Sequence, residues 1–163
     1  MQKVIGGILI LSATAGAGVV YGNELKRYLR NMVYLRYVFG LIRGEIEYTC
    51  APLPEIFFGV SARVKEPYRR WLKKMECRDL SGFARVWNRC TDKYLEIPGL
   101  KQEHKILIKE PGTFLGSFEK DISDRAMEMY LNKMDLEIEK LRAELASKVK
   151  VGRCLGVMAV YFL

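Results

Sequence analysis

The stretch that decides the fold is residues 24–48, which reads ELKRYLRNMVYLRYVFGLIRGEIEY. Its apolar side chains recur at steps of three and four residues, a period typical of an amphipathic helix. The pattern predicts one long helix that ends near Tyr48. The apolar positions are Leu25, Tyr28, Leu29, Met32, Leu35, Phe39, Ile42 and Ile46.

Toward the amino terminus, the same helix is predicted to continue into an uncharged stretch, Val4 to Gly22. A helix over this stretch rises about 28 Å, enough to cross a hydrocarbon core of about 30 Å. We expect residues 1–22 to form a transmembrane anchor. The alternative is a cleaved secretory signal, because Ala13-Thr14-Ala15 and Ala15-Gly16-Ala17 place small residues where a signal peptidase acts.

The carboxyl terminus is also apolar, since residues 154–163 read CLGVMAVYFL. Ten residues rise only about 15 Å. Lys150 and Arg153 would extend the segment if their side chains reach the headgroups. We expect residues 151–163 to form a short second membrane segment; the alternative is an apolar tail that packs on the body.

Two glycine pairs accompany these segments. Gly18 and Gly22 are four residues apart in the first, and Gly152 and Gly156 are four apart in the second. Small residues at this spacing let membrane helices approach closely, so we hypothesise that the pairs pack together. Ordinary glycine enrichment in membrane helices is the simpler interpretation.

The net charge of +8 is carried by basic residues scattered among acidic ones, a pattern that argues against nucleic acid as a partner. Lys and Arg are more frequent in residues 23–42 and 134–153 than at the amino-terminal end. The positive-inside rule therefore places the body, residues 23–150, in the cytoplasm.

The body is predicted to be all-α, a bundle-like domain of six helices. Pro52 and Pro54 interrupt the first helix, and Pro98-Gly99 ends the fourth. Ser81 is a predicted N-cap, and Phe114-Leu115 a possible extra turn. The predicted apolar stripe of the second helix is Ile56, Phe57, Val60 and Val64, and that of the third is Tyr68, Trp71, Leu72 and Met75. The stripe of the fourth helix is Phe83, Val86, Trp87, Cys90 and Tyr94. The stripe of the last helix is Ile122, Ala126, Met129, Tyr130, Met134, Ile138, Leu141 and Leu145.

No pattern of catalytic residues is present in the sequence. The single histidine, His104, lies between Glu103 and Lys105 and is predicted to be a surface residue. The four cysteines show no CxxC spacing, and the chain has no GxxxxGK phosphate loop. We expect a protein that is not an enzyme and that holds no metal and no cofactor.

Residues 43–55, RGEIEYTCAPLPE, carry a family resemblance. They resemble the signature of the stage III sporulation protein AB family, in which a Gly-Glu-Ile-x-Tyr run leads to a Pro-Leu-Pro-Glu helix start. Weaker matches are Gly7, Leu9, Ile10 and Leu11 near the start, Phe83 and Trp87, Leu115-Gly116, and Leu155-Gly156-Val157-Met158. The family's usual Phe-Gly is replaced here by Pro111-Gly112.

The resemblance implies a small mother-cell membrane protein in the membrane around the forespore. Its helical cytoplasmic domain would be similar to the inner-membrane platform protein of type II secretion and type IV pilus machines. Implied partners are a hexameric ATPase, the stage III sporulation AA protein, and other channel subunits, with a homo-oligomer as a further possibility. The alternatives are a membrane-tethered helical regulator or scaffold unrelated to secretion, and a secreted helical binding module.

Within this resemblance, the charged residues around the first corner are the candidates for partner binding: Arg43, Glu45, Glu47 and Glu55. A partner protein with complementary charge can recognise alternating charge at such a corner. Pro52 and Pro54 restrict the backbone and set the direction of this corner. Gly112 and Gly116 are expected to have a structural role in a second turn.

Overall fold

A computed structural model describes the backbone of residues 2–49, 51–75, 82–116 and 120–161, and the side chains of 22–49, 51–75, 82–116 and 123–151. Over these ranges the chain is helical and contains no strand, so the predicted all-α class is confirmed. The helices are α1 (Gln2–Tyr48), α2 (Leu53–Ser61), α3 (Tyr68–Lys73), α4 (Phe83–Tyr94), α5 (Gln102–Lys109), α6 (Pro111–Phe114) and α7 (Lys120–Tyr161).

The two long helices, α1 and α7, lie side by side and form the spine of the body. The Arg36 guanidinium donates two hydrogen bonds of 2.9 Å to the Asp135 carboxylate. Farther along α1, Arg43 reaches Asp124, which comes earlier in α7. The helices are therefore antiparallel, and residues 22 and 151 lie at the same end of the pair.

The short helices enclose an aromatic core centred on Trp87 of α4. The ring of Trp87 lies 5.1 Å from that of Trp71, 5.8 Å from Phe83, 6.0 Å from Phe57 and 6.1 Å from Phe39, measured between centroids. Its indole N–H donates a 3.0 Å hydrogen bond to the carbonyl of the residue at 108 in α5. One side chain thus joins α1, α2, α3, α4 and α5.

Most predicted apolar stripes are buried as expected, because the 3.6-residue period places them on the inner faces. The prediction of the buried face of α7 was wrong at one position. Met129 is 74% exposed, whereas Met127 and Leu131 are buried. Met127, Met129, Tyr130 and Leu131 are all apolar and close together in the sequence. The helical period alone therefore does not decide which of them face the core. The predicted N-cap Ser81 and the stripe position Ile122 lie outside the residues whose side chains are described.

Within the residues that the structure describes, no helix carries an apolar stretch long enough to cross a membrane. The side chains of the predicted anchor, Gly22 excepted, and those of residues 152–163 are outside the described set. Gly18, Gly152 and Gly156 fall there too. Among the residues whose side chains are described, and apart from the neighbouring backbone of α1, no heavy atom lies within 4 Å of the position that a Cβ on Gly22 would take. Both membrane segments therefore stay predictions.

Candidate functional site: the corner between α1 and α2 and a cleft beside α5

The predicted corner is built by two prolines after the end of α1. Pro52 takes an extended conformation, with φ −65° and ψ 151°, and caps α2. Its carbonyl accepts hydrogen bonds from the backbone N–H of Glu55 at 3.0 Å and of Ile56 at 3.2 Å. Pro54 follows in the first turn of α2, where a missing N–H costs nothing. The chain turns sharply here because helix cannot continue through these positions.

Arg43, predicted to bind a partner, lies in an intramolecular ion-pair cluster. Its guanidinium donates to Asp124 at 3.1 Å and to Glu128 at 3.2 Å, both on α7. The hydrogen bond to Asp124 is the main cause of a raised pKa at Arg43. Arg43 thus joins α1 to α7, a structural task that its sequence position did not reveal.

The carboxylates of the corner divide into two kinds. Glu45 is partly buried and forms an ion pair with Arg63, just after α2. Glu47 and Glu55 are exposed at the surface. The negative charge of Glu47 also contributes to the raised pKa of Arg43.

Two exposed aromatic side chains at the same corner were missed in the sequence. Tyr48 ends α1 and is 85% exposed, and Phe58 on α2 is 69% exposed. Phe58 follows the exposed Glu55 by three residues, the spacing of neighbours on one helix face. The sequence signal for Phe58 was its position out of phase with the buried Ile56 and Val60. We call the exposed set Glu47, Tyr48, Glu55 and Phe58 the acidic-aromatic corner.

The predicted structural glycines lie where the segment at α6 presses against α4. A Cβ on Gly112 would lie 2.7 Å from Cδ1 of Trp87, and one on Gly116 would lie 3.0 Å from Cβ of Phe83. The Phe83 ring is in turn stacked on Phe57 of α2, with centroids 6.0 Å apart. The two turns named in the sequence are thus joined through one aromatic pair.

A cleft of about 360 Å³ opens between α5 and α7. Lysine and glutamate side chains line it, among them Lys101, Lys133, Glu137 and Glu144. Its lysines are already paired, since Lys133 contacts Glu110 at 2.7 Å, Lys140 contacts Glu137 at 2.6 Å and Lys101 contacts Glu144 at 3.6 Å. The cleft therefore presents balanced rather than unpaired charge.

His104 lies at the base of this cleft, and its predicted surface position was wrong. It is 2% exposed. The Tyr28 hydroxyl accepts a 3.3 Å hydrogen bond from the N–H of Lys101, and its oxygen lies 2.5 Å from Nδ1 of His104. Nε2 of His104 lies 3.6 Å from a carboxylate oxygen of Glu137 and has no hydrogen-bond partner among the described residues. In the neutral imidazole with its proton on Nε2, toward this carboxylate, Nδ1 accepts the hydrogen bond from the Tyr28 hydroxyl.

This arrangement favours the neutral form of His104. Burial lowers the pKa of the imidazole, against the opposing effect of Glu103 and Glu137. Burial also raises the pKa of the Tyr28 hydroxyl, which keeps it protonated as the donor. The hydrogen bond from Lys140 lowers the pKa of Glu137. The cluster joins α1, α5 and α7.

A pH dependence of stability follows from His104. Since its pKa is lower in the folded than in the unfolded chain, stabilisation is complete above the unfolded pKa of about 6.5 and is lost as pH falls toward the folded pKa. We expect the free energy of unfolding, measured by urea titration, to decrease between pH 7.5 and pH 5. The carboxylates with lowered pKa values lose their contribution only in more acidic solution.

The matched variant is His104→Gln, which retains a polar side chain of similar size. Its free energy of unfolding should depend much less on pH over the same interval. An equally steep slope in the variant would assign the dependence to another group.

The comparison with protein families decides the assignment. The family model described as stage III sporulation protein AB matches residues 3–163. The chain belongs to the stage III sporulation protein AB family. This match confirms the family suggested by residues 43–55 and implies a role in stage III of sporulation. No curated protein and no solved structure shows significant similarity to this family member.

Among the described residues, no group of three or more His, Cys, Asp or Glu side chains is placed to hold a metal ion. The chemistry available at the corner is the recognition of a protein surface by carboxylates and aromatic rings. We take the acidic-aromatic corner as the candidate functional site.

Proposed function

We propose that this chain is a non-catalytic membrane platform in a secretion-like channel between mother cell and forespore, where it docks a cytoplasmic hexameric ATPase. The proposal starts from the family membership and its sporulation role. The ATPase is the AA-type protein that the sequence resemblance implies. The docking surface in this proposal is the acidic-aromatic corner.

The observation that carries the proposal is the polarity of the helix pair. Residues 22 and 151 lie at one end of the antiparallel α1 and α7, and an apolar stretch of sequence continues from each. Tyr48 lies about 39 Å farther along α1 at 1.5 Å per residue. If both apolar stretches enter the membrane, the acidic-aromatic corner is the part of the body farthest from the lipid.

The composition of the corner supports protein recognition. An exposed Tyr supplies a large contact area at a small cost in side-chain entropy, and aromatic residues are frequent among the residues that dominate binding energy. Glu47 and Glu55 add negative charge that a basic surface on the ATPase would complement. Arg43 and Glu45 support the corner from within through their ion pairs to α7 and Arg63.

We expect the double charge reversal Glu47→Arg with Glu55→Arg to reduce recovery of the ATPase about tenfold in co-purification from sporulating cells. Each reversal replaces an attraction to a basic partner with a repulsion. Both positions are exposed, and Arg43 keeps its ion pairs with Asp124 and Glu128 when Glu47 is changed, so the helical circular dichroism signal should stay unchanged.

The matched control reverses two other exposed carboxylates, Glu24 and Glu96, with the same change in net charge. It should recover as much ATPase as the wild type. An equal loss of ATPase recovery in both variants would show that net charge alone causes the effect. Undiminished recovery with the corner variant would overturn docking at this surface. Membrane association without any ATPase recovery would favour the regulator or scaffold alternative.

A further inference from the structure

Cationic side chains are distributed unevenly over this molecule. Those on α5 and α7 are interleaved with carboxylates, as in the pairs of Lys109 with Asp92 at 2.8 Å and Lys148 with Glu144 at 2.7 Å. In residues 63–74 the only acidic side chain is Glu66; Glu76 and Asp79 come next in the sequence and lie outside the described residues. The basic ones in that range are Arg63, Lys65, Arg69, Arg70, Lys73 and Lys74.

Three of these cations form what we call the α3 basic face: Arg70, Lys73 and Lys74. All three are exposed, and among the described residues no carboxylate forms an ion pair with their side chains, while the Glu66 carboxylate accepts a 3.3 Å hydrogen bond from the backbone N–H of Arg70. The others in the range are engaged, since Arg63 pairs with Glu45, Lys65 lies 4.3 Å from the centroid of the Tyr34 ring and Arg69 donates to the carbonyl of the residue at 64.

The opposite side of α3 holds this face rigidly. The Tyr68 hydroxyl donates a 3.2 Å hydrogen bond to the carbonyl of Asn31, and the Trp71 indole donates at 3.3 Å to the Thr91 hydroxyl. Cys90 donates at 3.2 Å to the carbonyl of Lys74, which brings the exposed Arg89 into the same region of the surface. The cations are thus presented on a fixed scaffold.

Stability alone does not account for this concentration of charge. Basic residues in the last turn of a helix gain from the helix dipole, but only weakly at an exposed site. Mutual repulsion among neighbouring cations opposes that gain.

We infer that the α3 basic face binds an acidic segment of a partner protein. An extended run of carboxylates complements a rigid row of Lys and Arg and is steered toward it by charge. Nucleic acid is disfavoured because the aromatic rings of α3, Tyr68 and Trp71, are buried and cannot stack on bases.

Lipid headgroups are disfavoured by position, a step that rests on the proposed membrane placement. Tyr68 contacts Asn31, and the ring of Trp71 lies 6.0 Å from that of Phe39. At 1.5 Å per residue, Asn31 and Phe39 lie about 14 and 25 Å beyond Gly22. The attraction of anionic lipids falls off within about 8–10 Å at physiological salt.

The test uses the purified full-length protein in neutral detergent and a fluorescein-labelled peptide of ten glutamates, followed by fluorescence anisotropy. We expect saturable binding that weakens as salt is raised. The triple variant Arg70→Glu, Lys73→Glu and Lys74→Glu should weaken binding at least tenfold. If that variant loses its circular dichroism signal, the variant with glutamine at the three positions replaces it.

The control changes three exposed cations in separate places, Lys26, Arg125 and Lys150, to glutamate, which gives the same net charge. It should weaken binding less than threefold. Equal weakening in both triple variants, no binding by the wild type, or preference for single-stranded DNA or anionic vesicles over the peptide would each overturn the inference. Peptide binding that persists while ATPase recovery is independent of Glu47 and Glu55 would overturn the docking proposal alone.

Discussion

Replacing Trp87 with alanine is expected to destabilise the protein by about 3–5 kcal/mol, a large part of the stability of a small domain. The substitution leaves a cavity where four other aromatic rings meet, and it removes the hydrogen bond to the residue at 108. Urea denaturation followed by circular dichroism measures the loss.

The control for this prediction is Met129→Ala on α7. Met129 is 74% exposed, so its truncation should change the free energy of unfolding by less than about 0.5 kcal/mol. A loss at Trp87 no larger than that at Met129 would mean that the aromatic cluster is not the centre of the core.

Replacing Gly112 with alanine is expected to cost about 1–3 kcal/mol, since one added methyl group must displace α6 or the Trp87 ring. The new Cβ would lie 2.7 Å from Cδ1, 2.8 Å from Cγ and 2.9 Å from Cβ of Trp87. Atoms near the base of a buried ring have little room to move. Thermal denaturation would report a lower Tm.

Gly59 provides the matched comparison for Gly112. It lies within α2, and in the described part of the chain nothing beyond the neighbouring helix backbone lies within 4 Å of an added Cβ. Gly59→Ala should therefore be neutral or stabilising by up to about 1 kcal/mol through helix propensity. Similar Tm values for the two variants would contradict the close contact of α6 with α4.

The helices were largely predictable because each carries one apolar stripe of helical period and ends at a strong sequence signal. The pattern of residues 24–48 gave the end of α1 at Tyr48, and Pro52 and Pro54 gave the start of α2. Met129 shows the limit of this reasoning, since a methionine at the edge of a stripe fits the pattern equally well inside or outside. Only packing against the other helices decides between the two.

His104 shows a different limit. Its neighbours Glu103 and Lys105 suggested a polar surface, yet it precedes the buried Leu107 and Ile108 by three and four residues. That spacing placed it on the inner face, and a tyrosine 76 residues earlier in the chain supplies its hydrogen bond. Long-range partners of this kind are not visible in a local pattern.

The corner between α1 and α2 was predicted from the sequence. Which of its charged residues form internal ion pairs and which are exposed was not. Arg43 and Glu45 looked equivalent to Glu47 as charged corner residues. Their ion pairs reach Asp124 and Arg63, which the fold brings close to them. Tyr48 and Phe58 were not among the predicted partner-binding residues. The residue type alone does not show whether an aromatic side chain is buried or exposed.

We propose that the helical body is held at the lipid by the apolar segments at the two ends of its chain. Alkaline carbonate extraction of membranes from sporulating cells, with mass spectrometry of the mature amino terminus, tests it most directly. We expect the full-length chain, with the segment before Gly22 retained, to stay in the pelleted membranes. Recovery of an uncleaved chain wholly in the supernatant, or of a chain lacking that segment, would contradict the account.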